Sequence, residues 1–259
     1  MKVVILCGGF GTRIRDVSEN LPKPMIPIAD RPILWHIMKY YSMYGHNEFI
    51  LLLGYKGDVI KDYFINYSLN TNDCQITIGD SKSLKFLTEN DEKNWKITFA
   101  ETGLNTMTGG RIKRIRDYVN GDSFMLTYGD GVSNIDINAL YKNHKKSTSI
   151  CTVTAVPPPG RFGLLNIDKN GIVTSFEEKT EGKSSLINGG FFVCEDGVFD
   201  YLEDDATIFE KEPLENMSKD AKLNSYRHYG FWRPMDTLRD KNQLSELWNQ
   251  NKAPWKLWS

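Results

Sequence analysis

Strong charge of either sign is missing from this chain. Thirty-two Lys and Arg stand against 33 Asp and Glu, a net charge of −1 over 259 residues, so there is no basic footprint for nucleic acid. Long apolar runs are missing too. None reaches the length of a membrane span, and Gly8-Gly9 interrupts the apolar start before a leader-type core could form. Cysteine is sparse and scattered at Cys7, Cys74, Cys151 and Cys194, with no CxxC pair. That argues against a zinc site or a disulfide framework and suits a reducing cytosol. Cys7, Cys151 and Cys194 read as small core residues in strands. His36 has no Cys or second His at metal spacing, so it reads as a packed or surface histidine. No Ser-His-Asp or Cys-His pattern, internal repeat or low-complexity tract stands out. What remains is the composition of an ordinary soluble globule, 40% hydrophobic and 25% charged, long enough for one large α/β domain or two small ones.

Against that background the stretch Leu6–Pro24 stands out. A buried first strand, residues 2–7, runs into Gly8, Gly9 and Gly11, where bare backbone N–H groups can approach an anion. Arg13 adds a forked donor array. Pro22-Lys23-Pro24 sets a second cation between two residues of locked φ. Glycines alone read equally well as a turn; two cations beside them suggest a polyphosphate cradle. The loop fits neither common phosphate motif. A dinucleotide fingerprint beginning at Gly9 needs glycine where Ile14 stands, and no Gly-Lys-Ser/Thr follows the glycines.

Beyond the loop, strand and helix alternate. A helix is expected from Pro32 to Tyr44, with Ile33, Ile37, Met38, Tyr41 and Tyr44 at core spacing and Gly45 as its left-handed stop. Phe49–Leu53 is the clearest buried strand and Val59–Tyr67 the next helix. This rhythm predicts a doubly wound parallel sheet with ligands beyond the carboxyl ends of its strands. Residues 68–96 break it; alternation at Cys74–Ile78 and Lys85–Leu87 points to a β-ribbon standing off the sheet, with a disordered insertion as the alternative. Strands are expected at Lys96–Ala100, Phe124–Tyr128 and Ser149–Val156. A hairpin about Asn170-Gly171 should join Gly163–Ile167 to Ile172–Phe176. Helices are expected at Ile112–Val119, from Val198 to Leu202, at Pro213–Lys222 and at Leu238–Trp248. The tail to Ser259, with Trp255 and Trp258, should dock on a core or on a partner.

Several polar residues have two readings. Asp130, between Gly129 and Gly131 at a strand end, is an ordinary turn aspartate or, beside a phosphate loop, a ligand for a hard cation such as Mg²⁺. Asp236 reads as a helix N-cap, Arg111 as a surface cation, Glu178 and Lys179 as a solvated run, and Asn188 as a turn residue or a partner for sugar hydroxyls.

Gly8-Gly9-Phe10-Gly11-Thr12-Arg13 followed by Pro22-Lys23-Pro24-Met25 resembles the signature of the sugar-phosphate nucleotidyltransferases, GGxGTR then PKPM. The likeness runs through TMTGGRIKR (106–114), TYGDGV (127–132), INGGFFV (187–193) and FWRPMDTLRD (231–240). It is strongest to the branch that joins CTP to glucose 1-phosphate, with dTTP- or UTP-dependent branches and a silent nucleotide-sugar sensor as rivals. The resemblance implies one Rossmann-like domain over residues 1–259, with a mixed, mostly parallel sheet and a β-ribbon excursion at 68–96. It implies a nucleotide site at Leu6, Cys7, Gly8, Gly9, Phe10, Gly11, Thr12, Thr106, Arg111 and Gly129. Arg13 and Lys23 are the implied catalytic cations. Glu178, Lys179 and Asn188 are the implied sugar-phosphate contacts, and Asp130 and Asp236 hold Mg²⁺. It also implies a cytoplasmic homo-oligomer, a hexamer, whose ribbon helps subunits associate. Thr180 departs from the pattern, which has proline there, and Pro157-Pro158-Pro159 carries more prolines than the pattern.

Overall fold

The computed structural model describes residues 1–11, 21–79, 83–158, 164–169, 171–177 and 186–258. The chain opens with β1 (Val3–Leu6), then a short antiparallel ribbon of β2 (Pro27–Ile28) and β3 (Arg31–Pro32). Helix α1 (Ile33–Ser42), β4 (Glu48–Leu53), α2 (Gly57–Ile65) and α3 (Tyr67–Thr71) follow. A two-stranded ribbon, β5 (Cys74–Gln75) with β6 (Lys85–Phe86), precedes β7 (Lys96–Glu101). Helices α4 (Thr108–Lys113) and α5 (Arg116–Val119) lead to β8 (Phe124–Tyr128), β9 (Gly131–Ser133), α6 (Ile137–Lys145) and β10 (Cys151–Val156). The hairpin β11 (Leu164–Ile167) and β12 (Val173–Glu177) comes next, then β13 (Ile187–Asn188) and β14 (Phe192–Cys194). The chain ends with α7 (Glu212–Lys219), β15 (Leu223–Arg227), β16 (Trp232–Pro234) and α8 (Leu238–Asn249).

Among the described residues the main sheet has eight strands in the order β13-β10-β14-β8-β1-β4-β7, with β15 also on β10. β1 pairs parallel with β4 and β8, and β4 with β7. β14 is antiparallel to both β8 and β10. The chain leaves β1 for β4 on one side and reaches β8 on the other, so the sheet reverses its order at β1. Strand side chains alternate between faces. Val3, Ile5, Leu51, Leu53 and Met125 join a core with α1 and Trp255 on one face. Val4, Ile50, Leu52, Leu126 and Phe192 join Ile112, Ile115 and Phe209 on the other.

The expected elements are present among the described residues, with shifted bounds and some breaks; Gly163 and the turn residue Asn170 of the expected hairpin lie outside them. α1 is buried on nearly every side, Leu34, Trp35, His36 and Lys39 included, rather than along one stripe. Its outer side is covered by the C-terminal segment: Trp248 meets the His36 ring at 4.5 Å, and Trp255 is fully buried. The tail therefore docks on this chain's own core. His36 is a packed histidine whose ring nitrogen meets the Ile28 carbonyl at 3.2 Å, and burial lowers its pKa to about 4. The helix expected at Ile112–Val119 starts earlier and breaks in two. Gly109 and Gly110 let this helix pack closely on residues 204–207, since a Cβ at either would strike Thr207 or Asp205. The segment beginning at Val198 is a 3₁₀ turn, Asp196–Tyr201. The four cysteines are free, and Cys7, Cys151 and Cys194 are buried as expected. No helix among the described residues is long and apolar enough to cross a membrane.

Candidate active site

A cleft of about 340 Å³ lies past the carboxyl ends of β1 and β8, at the point where the strand order reverses, which is where ligands sit in open α/β sheets. Its walls include Leu6, Cys7, Gly9 and Gly11 of the first loop, Lys23 and Pro24, Thr108, and Tyr128, Gly129, Asp130 and Asp236. The sheet ladder continues into the loop: Cys7 N–H donates to Leu52 O (3.1 Å) and Gly129 N–H to Leu6 O (3.0 Å). Gly129 has no room for a side chain, since a Cβ would lie 2.8 Å from Leu6 O.

Lys23 opens a single 3₁₀ turn, Lys23–Met25, flanked by Pro22 and Pro24. Met25 N–H donates to Pro22 O at 2.8 Å, and Pro24 and Met25 are buried. The turn is thereby anchored and the lysine stem directed into the cleft. Gly11 crosses beneath it with φ +60°, and a Cβ there would sit 3.1 Å from Lys23 Cβ.

Asp130 and Asp236 are 106 positions apart in sequence, and a small ribbon brings them together. β9 pairs antiparallel with β16, with Gly131 opposite Pro234. Met235 N–H donates to Asp130 O at 2.8 Å. The two carboxylates then face the same ammonium: Lys23 Nζ donates to Asp130 Oδ2 and to Asp236 Oδ1, each at 2.6 Å. Burial alone would lower the Lys23 pKa, but the two carboxylates outweigh it and hold the pKa above its ordinary value. Asp236 is not the N-cap of α8. Thr237 caps that helix in a capping box with Asp240, which leaves Asp236 free of the capping role.

Other expected residues take different places. Arg111 is 4% exposed, not a surface cation, and it lies beneath the loop rather than on the cleft wall. Its terminal nitrogens donate to Leu53 O, Thr102 Oγ1, Gly103 O, Gly8 O and Leu104 O at 2.6–3.2 Å. It thus ties the exits of β1, β4 and β7 together under Gly8. Thr106 is buried beside Gly103, and Phe10 is 41% exposed with its ring 5.4 Å from Tyr55. Asn188 donates to the Tyr128 hydroxyl at 3.2 Å, next to the cleft. Thr12, Arg13, Glu178 and Lys179 lie outside the described residues. Cys7 is among the cleft residues but is 1% exposed; burial, with Asp130 adding, pushes its thiol pKa far up. Sequence reasoning missed Tyr128, Thr108 and Glu210. Tyr128 directly precedes Gly129-Asp130 at a strand end and was legible; Glu210 carries no signal.

Among the described residues no group of three or more His, Cys, Asp or Glu is arranged for a metal. The Asp130–Asp236 pair is the arrangement that could face a cation. Its donors are carboxylate oxygens, which suit a hard divalent ion completed by phosphate oxygens and water.

A glycine loop at the sheet's reversal point, with a carboxylate pair converging on one cation, defines the class: an α/β nucleotide-binding protein. The chain belongs to the nucleotidyl transferase family, whose model matches residues 2–233. It is 48% identical over 259 residues to the glucose-1-phosphate cytidylyltransferases of Salmonella typhimurium (strain LT2) and Salmonella typhi, covering 100% of each chain. In structure it is similar to HddC from Yersinia pseudotuberculosis, with a TM-score of 0.68 at 26% identity, covering 95% of this chain and 99% of that one. A second structure of that protein, complexed with GMP-PN, matches with the same TM-score at 25% identity and the same coverage.

Proposed function

We propose that this chain transfers a cytidylyl group from CTP to α-D-glucose 1-phosphate, giving CDP-glucose and pyrophosphate. The observation that carries the reading is the convergence of Lys23, Asp130 and Asp236 beside the β1 loop; the full-length likeness to cytidylyltransferases supports it. A phosphate oxygen of the sugar ester attacks the α-phosphorus of CTP in line. The bond from that phosphorus to the β-phosphate oxygen breaks, and pyrophosphate leaves. The attacking oxygen is already an anion, so neither a general base nor a protein nucleophile is needed. The work is positioning and charge neutralisation. Lys23 holds the α-phosphate, and Arg13, by resemblance, the leaving pyrophosphate. Backbone groups of Leu6, Gly8 and Gly9 meet base and ribose, and Arg111 fixes the Gly8 carbonyl from below. Asp130 and Asp236 would hold Mg²⁺, which when bound neutralises triphosphate oxygens. Asn188, with Glu178 and Lys179, takes the sugar phosphate.

The whole chain acts as one domain in a cytoplasmic homo-oligomer, a hexamer. Exposed Ile76, Ile78 and Leu87 in the ribbon segment support association, and light scattering tests it. Pyrophosphate release with glucose 1-phosphate, Mg²⁺ and CTP, dTTP or UTP separately tests the reaction. CTP should lead; dTTP or UTP leading would reassign the nucleotide, and binding without turnover would make the chain a sensor. Asp130→Asn should lower turnover at least about 10²–10³-fold with the fold intact; near-normal turnover would remove Asp130 from the mechanism.

A further inference from the structure

Thr108, Glu210, Tyr128 and Asn188 form one hydrogen-bonded chain along the cleft edge, of which the steps above use Asn188 alone. Tyr128 Oη donates to Glu210 Oε1 at 2.7 Å, and Thr108 Oγ1 donates to Glu210 Oε2 at 2.6 Å. Asn188 Nδ2 donates to Tyr128 Oη at 3.2 Å. The directions are forced. An ionised carboxylate only accepts, so both hydroxyl protons point at Glu210. Thr108 Oγ1 in turn accepts from Phe209 N–H at 2.9 Å. Asn188 Oδ1 accepts from Gly190 N–H at 2.8 Å, which fixes the amide the other way round. The phenol proton is thus committed to the bond to Glu210. The ring is packed on both sides: it lies edge-on to Phe192, and Gly190 passes so close that a Cβ there would lie 2.9 Å from it.

The consequence is a cleft edge of defined polarity. Tyr128 has spent its proton and one lone pair, and keeps a single acceptor position. Asn188 has one N–H left over. An acceptor beside a donor matches two neighbouring sugar hydroxyls, one donating and one accepting. We propose that Tyr128 is a sugar-specificity residue that accepts a hydrogen bond from one hydroxyl of the sugar phosphate. Glu210 is the positioning residue that holds the phenol in its accepting state. Thr108 opens α4 two residues beyond Thr106, so the chain also links the nucleotide-side loop to the sugar side. The inference rests on the reaction proposed above and names a residue that the reading of that reaction did not contain.

The experiment compares wild type, Tyr128→Phe, Glu210→Gln and the double variant by steady-state kinetics, with CTP binding measured by calorimetry. Losing one neutral hydrogen bond should raise KM for glucose 1-phosphate roughly 3- to 10-fold, with CTP affinity within about twofold. Glutamine at 210 must turn its amide N–H₂ toward one hydroxyl, reversing that bond. Glu210→Gln should therefore raise the same KM, and the double variant should match Tyr128→Phe alone rather than add to it. Monodeoxy analogues of glucose 1-phosphate give the decisive readout. One of them should lose affinity for wild type while Tyr128→Phe no longer distinguishes it from the parent sugar. An active wild type with an unchanged sugar KM in Tyr128→Phe would overturn this inference alone. So would equal losses for CTP and sugar, or unchanged discrimination against every deoxy sugar. A wild type with no turnover of CTP and glucose 1-phosphate would overturn the proposed reaction and this inference with it. If Glu210→Gln does not fold, the deoxy series on Tyr128→Phe decides.

Discussion

Replacing Lys23 by methionine keeps the stem that packs in the cleft and deletes the charge between two carboxylates. The structure sets the size of the effect. Each carboxylate oxygen is 2.6 Å from Nζ, so the two oxygens lie no more than about 5 Å apart. Two unit charges at that separation repel by about 3 kcal/mol at an effective dielectric near 20. The Asp130 and Asp236 side chains are 29% and 34% exposed, and water weakens the repulsion toward 1 kcal/mol. Lys23→Met should therefore cost about 1–3 kcal/mol, or roughly 2–10 °C in melting temperature for a chain of this size. Differential scanning calorimetry in EDTA reads this directly. Millimolar Mg²⁺ should then restore more stability to the variant than to wild type, because in wild type the ammonium already sits between the carboxylates. Turnover should fall by about 10²–10³ even with magnesium present, since the lysine is also a preorganised phosphate contact. A variant that melts with wild type in EDTA and gains no more from Mg²⁺ would show that the carboxylates do not feel one another, and the reading of this centre would fail.

Other perturbations probe the frame around that centre. A Cβ at Gly8 would lie 2.4 Å from the Arg111 guanidinium, whereas at Gly9 it meets nothing within 4 Å. Gly8→Ala should cost about 1–3 kcal/mol in stability. Gly9→Ala should melt close to wild type yet bind CTP at least about tenfold more weakly, because the nucleotide needs the bare backbone; calorimetry and titration separate the two. Glu195 accepts from Lys145, Ser123 and His144. Burial alone would raise its pKa, but these donors win and hold it down to about 2. Its folded pKa is depressed, so its contribution is present above the ordinary carboxylate range and is lost as pH falls toward 2. Glu195→Gln should flatten that acid limb, as urea unfolding at pH 7 and pH 3 would reveal; an unchanged pH dependence would refute the assignment. Trp255 is fully buried, with its ring 5.5 Å from Phe231. Trp255→Ala should cost about 3–5 kcal/mol, and a melt near wild type would mean that the tail is not part of the core.

The central strands were legible because parallel strands covered on both faces read as unbroken apolar runs. Val3–Leu6 and Phe49–Leu53 are such runs, Phe124–Tyr128 is one interrupted by Thr127, and all lie in the sheet core. The breaks at Gly8-Gly9 and Gly129 marked where those strands release the chain, and that is where the cleft lies. What stayed hidden depends on contacts far along the sequence. α1 has a polar-looking side with His36 and Lys39, but its cover, Trp248 and Trp255, arrives more than 200 residues later. Arg111 looked like a solvated cation because four of the five oxygens it serves are backbone carbonyls of other segments, which carry no sequence signature. Asp236 looked like a cap because a carboxylate ahead of a helix is a common cap; Thr237 takes that role one residue on.

The same distinction explains how the centre is built. Lys23 is fixed in a 3₁₀ turn, and Asp130 and Asp236 are brought together by the pairing of β9 with β16, which Met235 N–H to Asp130 O continues. Neither strand is long enough to show a periodicity, so their pairing cannot be read from local pattern. Yet that pairing places Asp236 within reach of Lys23, 213 positions away. Substitutions that weaken the β9–β16 ladder should therefore separate the carboxylates without touching them. Because Ser133 Oγ donates to Phe231 O at 2.7 Å, Ser133→Ala is the mildest such change. It should lower turnover more than it lowers the melting temperature: one lost hydrogen bond is about 1 kcal/mol of stability, whereas a misplacement of about 1 Å in a charge-positioning site can cost on the order of 10²-fold in rate. Rate and melting temperature falling in proportion would assign the ladder to stability alone.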